Sequence, residues 1–380
     1  SATAANAITS DVNVATVTTV STTSSTVAGA IVLNDLGGGV NVNTATTVLG
    51  DITLTATGGN LTVTSVTAGT GGGDFDIALT TITSGDINLG VASTLADNAG
   101  DNVTLTAAGS IRNSTGAASN VISSTLTAGS VSGVDLNTTI ATLTSATVSG
   151  VGTIDVEDTA DGLAVTLATT ANGNITIAAT GNLTVGNDDT ATGAFREGGV
   201  HAGGSGGLVT LTSTTDIFDA ADFLTVNLNV SCNGFVAISG SGIGDTDFFE
   251  SNVRFFEATG GTGGIFLANT GALTVGGIGA VTSVTATGAI TISASSPYTQ
   301  AINMTSAAAI TLTAGETNDG PAYADDLTVN AGVTVQSSLA AVGGTAVTLN
   351  AGDDVVIGGT VVATAADGIV VVTAGFGAQD

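Results

Sequence analysis

The chain has 380 residues, of which 43% are hydrophobic, 9% are charged and 3% are aromatic, with 55 glycines and no tryptophan. Its 31 acidic residues face only three basic ones, all arginine, which gives a formal net charge of −28 and excludes the clustered cations that nucleic acids and anionic membranes require. A positive mean hydropathy with so few charges also excludes a disordered chain.

A short cassette recurs from the N-terminus onwards, in which Asn, Asp or a small residue precedes an alternation of aliphatic residues and Thr. Its instances lie at 50–56, 60–64, 102–109, 174–178, 289–292, 309–315, 326–329 and 346–349. Strict period-2 alternation of β-branched and aliphatic residues predicts strands with one apolar face. The pattern predicts inward Ile52, Leu54, Leu61, Val63, Ile310 and Leu312, and outward Thr53, Thr311 and Thr313.

The spacing of the cassettes distinguishes a solenoid from a sandwich. In the C-terminal part, the first apolar residues of successive cassettes are at 290, 310, 327, 347 and 369. Turns of about 20 residues with two or three short strands are typical of a parallel β-helix. The sequence therefore predicts an all-β fold: one continuous β-solenoid over residues 1–380, with irregular coils of about 20 residues and essentially no helix.

The segment 195–266 departs from this pattern, because it contains nine of the eleven Phe and the only His and Cys. Its first residues, 195–204, predict a protruding loop, and its later part holds the densest aromatic cluster. Three interpretations are open: wider, atypical coils with a Phe-filled core, an interface or ligand groove, or, as a minor alternative, a catalytic site. The candidate interface residues are Phe248, Phe249, Arg254, Phe255 and Phe256, joined by Val371 and Phe376 of the apolar C-terminal stretch.

Several segments resemble the repeats of known bacterial surface proteins. Residues 241–276, 100–111 and 349–355 are similar to repeats of filamentous-haemagglutinin-type and autotransporter-type passenger domains, and of giant β-strand-repeat surface proteins. The resemblance covers nearly the whole chain. It implies an exported, elongated stalk or adhesin, located outside the cell or at the bacterial cell surface.

The supply of reactive side chains restricts the chemistry. One His, one Cys and no Lys leave too few groups for a nucleophilic triad, a zinc site or a Lys-containing phosphate loop. A polysaccharide-degrading enzyme would need clustered carboxylates, for which Asp74 with Asp76, or Asp245 with Asp247, are the candidates. We expect neither pair to be catalytic, and the chain not to be an enzyme.

Pairs of acids at cassette boundaries leave two interpretations open. They are Asp188 and Asp189, Asp325 and Asp326, and Asp353 and Asp354. Carboxylates and turn carbonyls together can provide the oxygen ligands of calcium, the one cofactor that the sequence suggests. The alternative is that these residues are solvated turn acids. Outward Thr-x-Thr rows add an ice-binding surface as a minor alternative.

The expected function is therefore structural. Because neither end of the chain contains a capping element, we expect copies of the chain, or adjoining repeats of a longer one, to continue the solenoid end to end in an extracellular filament, stalk or surface layer. The main alternative is an adhesin that binds glycan or protein through residues 195–266. No membrane insertion is expected, because the aliphatic runs are far shorter than the ~18 residues of a spanning helix.

Overall fold

The computed structural model describes the chain apart from residues 94–99, 115, 117–118, 189–197, 221–226, 246–247, 317–324, 340–342 and 376–380. The described residues form forty strands and no helix. They divide into two compact units, Ser1–Thr180 and Gly181–Asp380. Together the units contain about 14 turns of parallel β-solenoid.

The first unit contains twenty strands. They are β1 (Ala2–Ala4), β2 (Ile8–Val12), β3 (Thr16–Val17), β4 (Val20–Thr22), β5 (Ile31–Asp35), β6 (Val40–Thr46), β7 (Ile52–Ala56), β8 (Leu61–Thr67), β9 (Ile77–Thr81), β10 (Ile87–Ser93), β11 (Asn102–Ala107), β12 (Ser110–Asn113), β13 (Val121–Ile122), β14 (Thr125–Ser130), β15 (Gly133–Thr139), β16 (Thr142–Val151), β17 (Ile154–Asp158), β18 (Leu163–Val165), β19 (Leu167–Asn172) and β20 (Ile175–Ala179).

The second unit contains the other twenty. They are β21 (Leu183–Val185), β22 (Gly199–Ala202), β23 (Leu208–Ser213), β24 (Ile217–Asp219), β25 (Val230–Ser239), β26 (Gly242–Ile243), β27 (Phe249–Thr259), β28 (Gly264–Asn269), β29 (Leu273–Val275), β30 (Ser283–Ala286), β31 (Ile290–Ala294), β32 (Tyr298–Gln300), β33 (Asn303–Ser306), β34 (Ile310–Ala314), β35 (Leu327–Val329), β36 (Thr334–Ser337), β37 (Thr345–Ala351), β38 (Val355–Ile357), β39 (Thr360–Ala363) and β40 (Ile369–Thr373).

Each unit is built from parallel ladders in which like residues lie above one another. In the first unit, one inward column runs through β2, β5, β7, β9, β11, β14 and β16, and consists of Ile8, Ile31, Ile52, Ile77, Val103, Leu126 and Leu143. In the second, a column runs through β28, β31, β34, β37 and β40, and consists of Ile265, Ile290, Ile310, Val347 and Val370. These columns are the core of the solenoid.

The predicted inward and outward positions are confirmed. The side chains predicted to face inward are fully buried: Ile52, Leu54, Leu61, Val63, Ile310 and Leu312. Thr53, Thr311 and Thr313 are only half-buried, on the opposite face of the same strands. The alternation follows from the pleat, which points successive side chains to opposite faces of the sheet.

The expected coil length is corrected by the register. Successive residues of the inward columns are as close as 17 residues, from Leu126 to Leu143, and as far apart as 37, from Ile310 to Val347. About 14 turns for 380 residues therefore mean that the coils are on average longer than the irregular coils of about 20 residues predicted from the sequence. Turn segments vary in length because only the strands take part in the ladder hydrogen bonds.

The corners of the coil are closed by buried hydroxyls and by glycine. Ser130 and Ser239 each donate a hydrogen bond to the carbonyl three residues later, at 3.0 Å and 2.8 Å respectively. Gly59 has a φ of 130°, and a Cβ at this position would lie 1.7 Å from the carbonyl oxygen of Gly38 in the preceding coil. The close approach of successive coils at this corner therefore requires glycine.

Among the described residues, the structure contains no helix with the length and apolar character needed to cross a membrane.

Candidate functional site

The Phe-rich segment of the second unit places its rings mainly in the core. Phe235 stacks on Phe249 with ring centroids 5.6 Å apart, and its centroid lies 5.5 Å from that of Phe256. All three side chains are fully buried. This part of the second unit therefore contributes an aromatic cluster to the core.

The other candidate interface residues occupy different environments. Phe248 and Phe255 are half-buried, and the guanidinium carbon of Arg254 lies 5.0 Å from the ring centroid of Phe255. Val371 is 37% exposed on β40, whereas Phe376 lies outside the described residues. Phe249 and Phe256 are inaccessible, so among the candidates that the structure describes, aromatic surface is open to a partner only at Phe248 and the Arg254–Phe255 pair.

A buried carboxylate holds the neighbouring turn, in which Gly277 lies beside the ring of Phe255. Both oxygens of Glu257 accept hydrogen bonds from the four consecutive backbone N–H groups of residues 278–281, at 2.7–2.8 Å. Glu257 is fully buried, although it points outwards between the inward Phe256 and Ala258 positions. Its charge is compensated by backbone dipoles, so its role is to fix the turn between β29 and β30.

The only histidine lies in a buried polar cluster of the second unit. Nε2 of His201 is 2.6 Å from the carbonyl oxygen of Gly198 and 3.8 Å from a carboxylate oxygen of Asp188. Nearby, Asn229 donates to Asp219 at 2.6 Å, and its own Oδ1 accepts the backbone N–H of Glu250 at 2.8 Å. The cluster joins the ends of several strands by hydrogen bonds.

The protruding loop expected at 195–204 is corrected in part. Residues 195–197 lie outside the described residues, but Gly199–Ala202 form β22, which is buried and pairs in parallel with β25. His201 is only 3% exposed. The glycines around it permit close strand packing, which the sequence pattern alone did not distinguish from a flexible loop.

Cys232 is poorly suited to thiolate chemistry. Its Sγ lies 2.9 Å from the carbonyl oxygen of Gly234. Burial raises the pKa of the Cys232 thiol to about 12, because removal from water disfavours the charged form. The thiol is therefore protonated at neutral pH.

Acids at cassette boundaries form hydrogen bonds with a neighbouring coil. Asp353 accepts the backbone N–H of Asp325 at 3.1 Å, and Asp326 accepts that of Asp354 at 3.2 Å. Among the described residues, no group of three or more His, Cys, Asp or Glu is arranged to hold a metal ion. Asp188 belongs to the buried cluster, and Asp189 lies outside the described residues. The acids described here therefore have a structural role whether or not an ion binds.

Asp76, one of the carboxylates considered for catalysis, also forms hydrogen bonds with neighbouring coils. Asp76 accepts hydrogen bonds from the backbone and side-chain amides of Asn102, and its own N–H donates to Asp51. Asp74 precedes β9 and is exposed, so the two acids do not form a pair on a strand. Asp245 is exposed, and Asp247 lies outside the described residues.

One acidic row in the first unit was missed in the sequence. Asp135 of β15 is the register partner of Asp155 of β17, and Glu157 lies two residues further along the same outer face. Partial burial, followed by repulsion from Asp135 and Glu157, raises the pKa of Asp155. The sequence feature that indicates this row is that each of the three acids immediately follows an inward aliphatic residue.

Next to this row lies a groove of about 350 Å³ on the outer side of β12 and β15. Arg112 projects beside it, and its Nε donates to Asp86 at 3.1 Å. Asp135 lines the same groove one strand further along, because it is the register partner of Arg112. The groove therefore combines a fixed cationic donor with a carboxylate acceptor.

The last strand of the second unit has one edge without a partner among the described strands. β40 pairs in parallel with β37, and its other edge pairs with no described strand. Its four aliphatic residues Ile369–Val372 are 37–47% exposed, although Val370 and Val372 continue the inward columns of Val347 and Leu349. Val356 and Ile357 of β38 are 49% and 44% exposed. Backbone hydrogen-bonding groups and core residues thus meet at one surface.

The fold defines the chain as a β-helical repeat protein, a parallel β-solenoid. No protein-family model matches its sequence, and no curated protein or solved structure is significantly similar to it.

Proposed function

We propose that this chain is a structural element of an extracellular filament, stalk or surface layer, in which the solenoid continues end to end. The observation that carries the proposal is the β40 edge, where core aliphatic side chains and strand hydrogen-bonding groups are exposed together. Another parallel strand satisfies both at once, since it supplies the missing hydrogen bonds and covers Val370 and Val372.

The first coil offers the complementary surface. β2 pairs with β5 on one edge and with no described strand on the other. Its inward residues Ile8 and Val12 are only half-buried. The two edges of a strand in a parallel ladder are not equivalent. To extend the ladder beyond β40, an incoming strand must offer the edge opposite to the unpaired edge of β40, and β2 of a second copy provides that edge. The adjoining repeats of a longer chain would continue the ladder by the same chemistry.

Charge favours continuation at the ends over association along the sides. A chain with a net charge of −28 repels its copies wherever large parts of its surface approach each other. Stacking at the coil ends brings less of that surface together. Assembly is therefore expected to require ionic strength at which the Debye length is about 10 Å or less.

Sedimentation and electron microscopy of the purified chain test the proposal over a range of protein and salt concentrations. We expect end-to-end oligomers that grow with salt and are abolished by Val372→Lys, which places a charge in the open core of β40. Val151→Lys is the control, because Val151 is 75% exposed and lies in β16, several coils from the β2 edge of the first unit.

Particles that remain monomeric at high concentration and physiological salt would contradict self-assembly, provided that hydrogen exchange shows both edges to be open. The mass of the native polypeptide then separates assembly of copies from continuation within a longer chain. A native mass near 36.1 kDa requires separate subunits.

A further inference from the structure

We propose that the Arg112 groove of the first unit binds a neutral saccharide. The groove is lined by Ser110, Arg112, Asn113 and Ser132, and further by Gly133, Asp135 and Thr153, with Ile111 and Val134 beneath them. Its volume of about 350 Å³ is at the lower end of the range for small-molecule sites. One or two sugar rings are ligands of suitable size.

The guanidinium group is positioned before any ligand arrives. Nε of Arg112 donates to Asp86 at 3.1 Å, and Nη2 donates to the hydroxyl of Ser110 at 3.2 Å. Asp86 is held in turn, because its other carboxylate oxygen accepts the backbone N–H of Ser110 at 2.7 Å. The Arg112 side chain is 56% exposed, so guanidinium N–H groups that these two bonds do not use face solvent.

A matching acceptor lies one strand away. Asp135 is the register partner of Arg112, and side chains at paired positions of a parallel ladder point to the same face, with strands about 4.8 Å apart. Neighbouring hydroxyls of a sugar each donate and accept a hydrogen bond. An arginine donor beside a carboxylate acceptor satisfies such a pair, and both hydrogen bonds are strengthened by charge.

The surroundings argue against the other common ligands of an arginine. A phosphate or carboxylate ligand would be repelled by Asp86, Asp135, Asp155 and Glu157, of which Asp86 already compensates the charge of Arg112. Among the described residues, no group of acids is arranged to hold a metal ion. A neutral ligand rich in hydroxyls uses both the donor and the acceptor without adding charge.

The test is titration of the whole chain with cellobiose, maltose and N,N′-diacetylchitobiose at millimolar concentrations, followed by saturation-transfer NMR and calorimetry. We expect saturable binding of at least one disaccharide, insensitive to salt because the ligand is uncharged. Arg112→Lys keeps the charge but loses the planar fork, and Asp135→Asn replaces one acceptor oxygen with a donor. Each should weaken binding by about tenfold or more.

Asp367→Asn, an exposed acid of the second unit, is the matched control and should bind as the unchanged chain does. A measurement on the unchanged chain does not depend on variant folding: the saccharide that binds should protect Arg112 from modification by phenylglyoxal, as read by peptide mass mapping. The proposal is overturned if no disaccharide binds saturably, if binding persists in both groove variants, or if Arg112 is not protected.

Discussion

Oδ1 of Asp76 accepts hydrogen bonds from both the backbone N–H and the side-chain amide of Asn102, at 3.1 Å and 3.0 Å. The two residues occupy equivalent positions of successive coils: Asp76 immediately precedes β9, and Asn102 is the first residue of β11. The acid at a cassette boundary therefore links its own coil to the next, in addition to the ladder hydrogen bonds.

Replacement of Asp76 tests this link. Asp76→Ala removes both acceptor interactions and is expected to lower the free energy of unfolding by about 1 kcal/mol. Asp76→Asn retains an acceptor oxygen and should cost less. Asp74→Ala, at an exposed position two residues earlier, is the control in urea titrations. Equal effects of the two alanine variants would show that the link is unimportant.

Glu257→Gln is expected to destabilise the second unit by about 2–4 kcal/mol. One carboxylate oxygen, which accepts two backbone N–H groups, becomes an NH2 group that can only donate. These two buried N–H groups therefore lose their acceptor. Glu157→Gln is the matched control, because Glu157 is exposed. Hydrogen exchange of residues 278–281 should increase only in the Glu257 variant, and unchanged exchange there would argue against an anchoring role.

Leu312→Ala is expected to cost about 2–5 kcal/mol, because the fully buried side chain leaves a cavity between neighbouring coils. Thr311→Ala, on the outer face of the same strand, should change the free energy of unfolding by less than about 1 kcal/mol. Denaturant unfolding of the two variants measures the difference. Similar losses would mean that the inward and outward faces are misassigned.

Asp155→Asn is expected to stabilise the first unit at neutral pH. The pKa of Asp155 is raised in the folded chain, by burial first and then by Asp135 and Glu157. Ionisation of this carboxyl group is therefore less favourable in the folded chain than in the unfolded chain. Stability from this group is therefore present below the unfolded pKa and is lost as the pH rises through the folded value. The gain from Asn should disappear in acid; a gain that is the same at all pH values would exclude this origin.

Cys232 should react slowly with a thiol reagent in the folded chain at pH 8, because its pKa is about 12 and its thiol is largely buried. Denaturant should restore the rate of an ordinary cysteine, since the unfolded thiol has a pKa near 8.5. The rate of absorbance change with a disulfide reagent measures both states. Fast labelling without denaturant would contradict the burial.

The alternation at Ile52 and Thr53 could be predicted from the sequence because it depends only on the pleat of one strand. The burial of Glu257 could not, since its partners lie more than twenty residues away and become neighbours only when a turn folds back over the sheet. The burial of Phe249 and Phe256 could not be predicted either, because an aromatic cluster in the sequence is compatible with a buried core or with an exposed binding surface. Only packing against Phe235 distinguishes these alternatives.

The coil length was underestimated for a related reason. Where cassettes follow each other closely, as at Ile290 and Ile310, their spacing equals the register step. Between Ile310 and Val347, the cassette of β35 belongs to another ladder, in which β35 pairs with β32. An estimate from cassette spacing alone therefore counts β35 as the start of an additional coil. Which strands share a ladder is a property of the folded chain.

The unequal spacing of in-register strands, from 17 to 37 residues, has a consequence for how such a protein can change over evolutionary time. A turn segment that lengthens leaves the residue pairing of the strands on either side of it intact, so insertions are tolerated wherever the ladder is not interrupted. Loop closure adds only about 0.6 kcal/mol for each doubling of length. New surface segments, natural or engineered as displayed peptides, can therefore be acquired one turn at a time while the apolar columns stay the same.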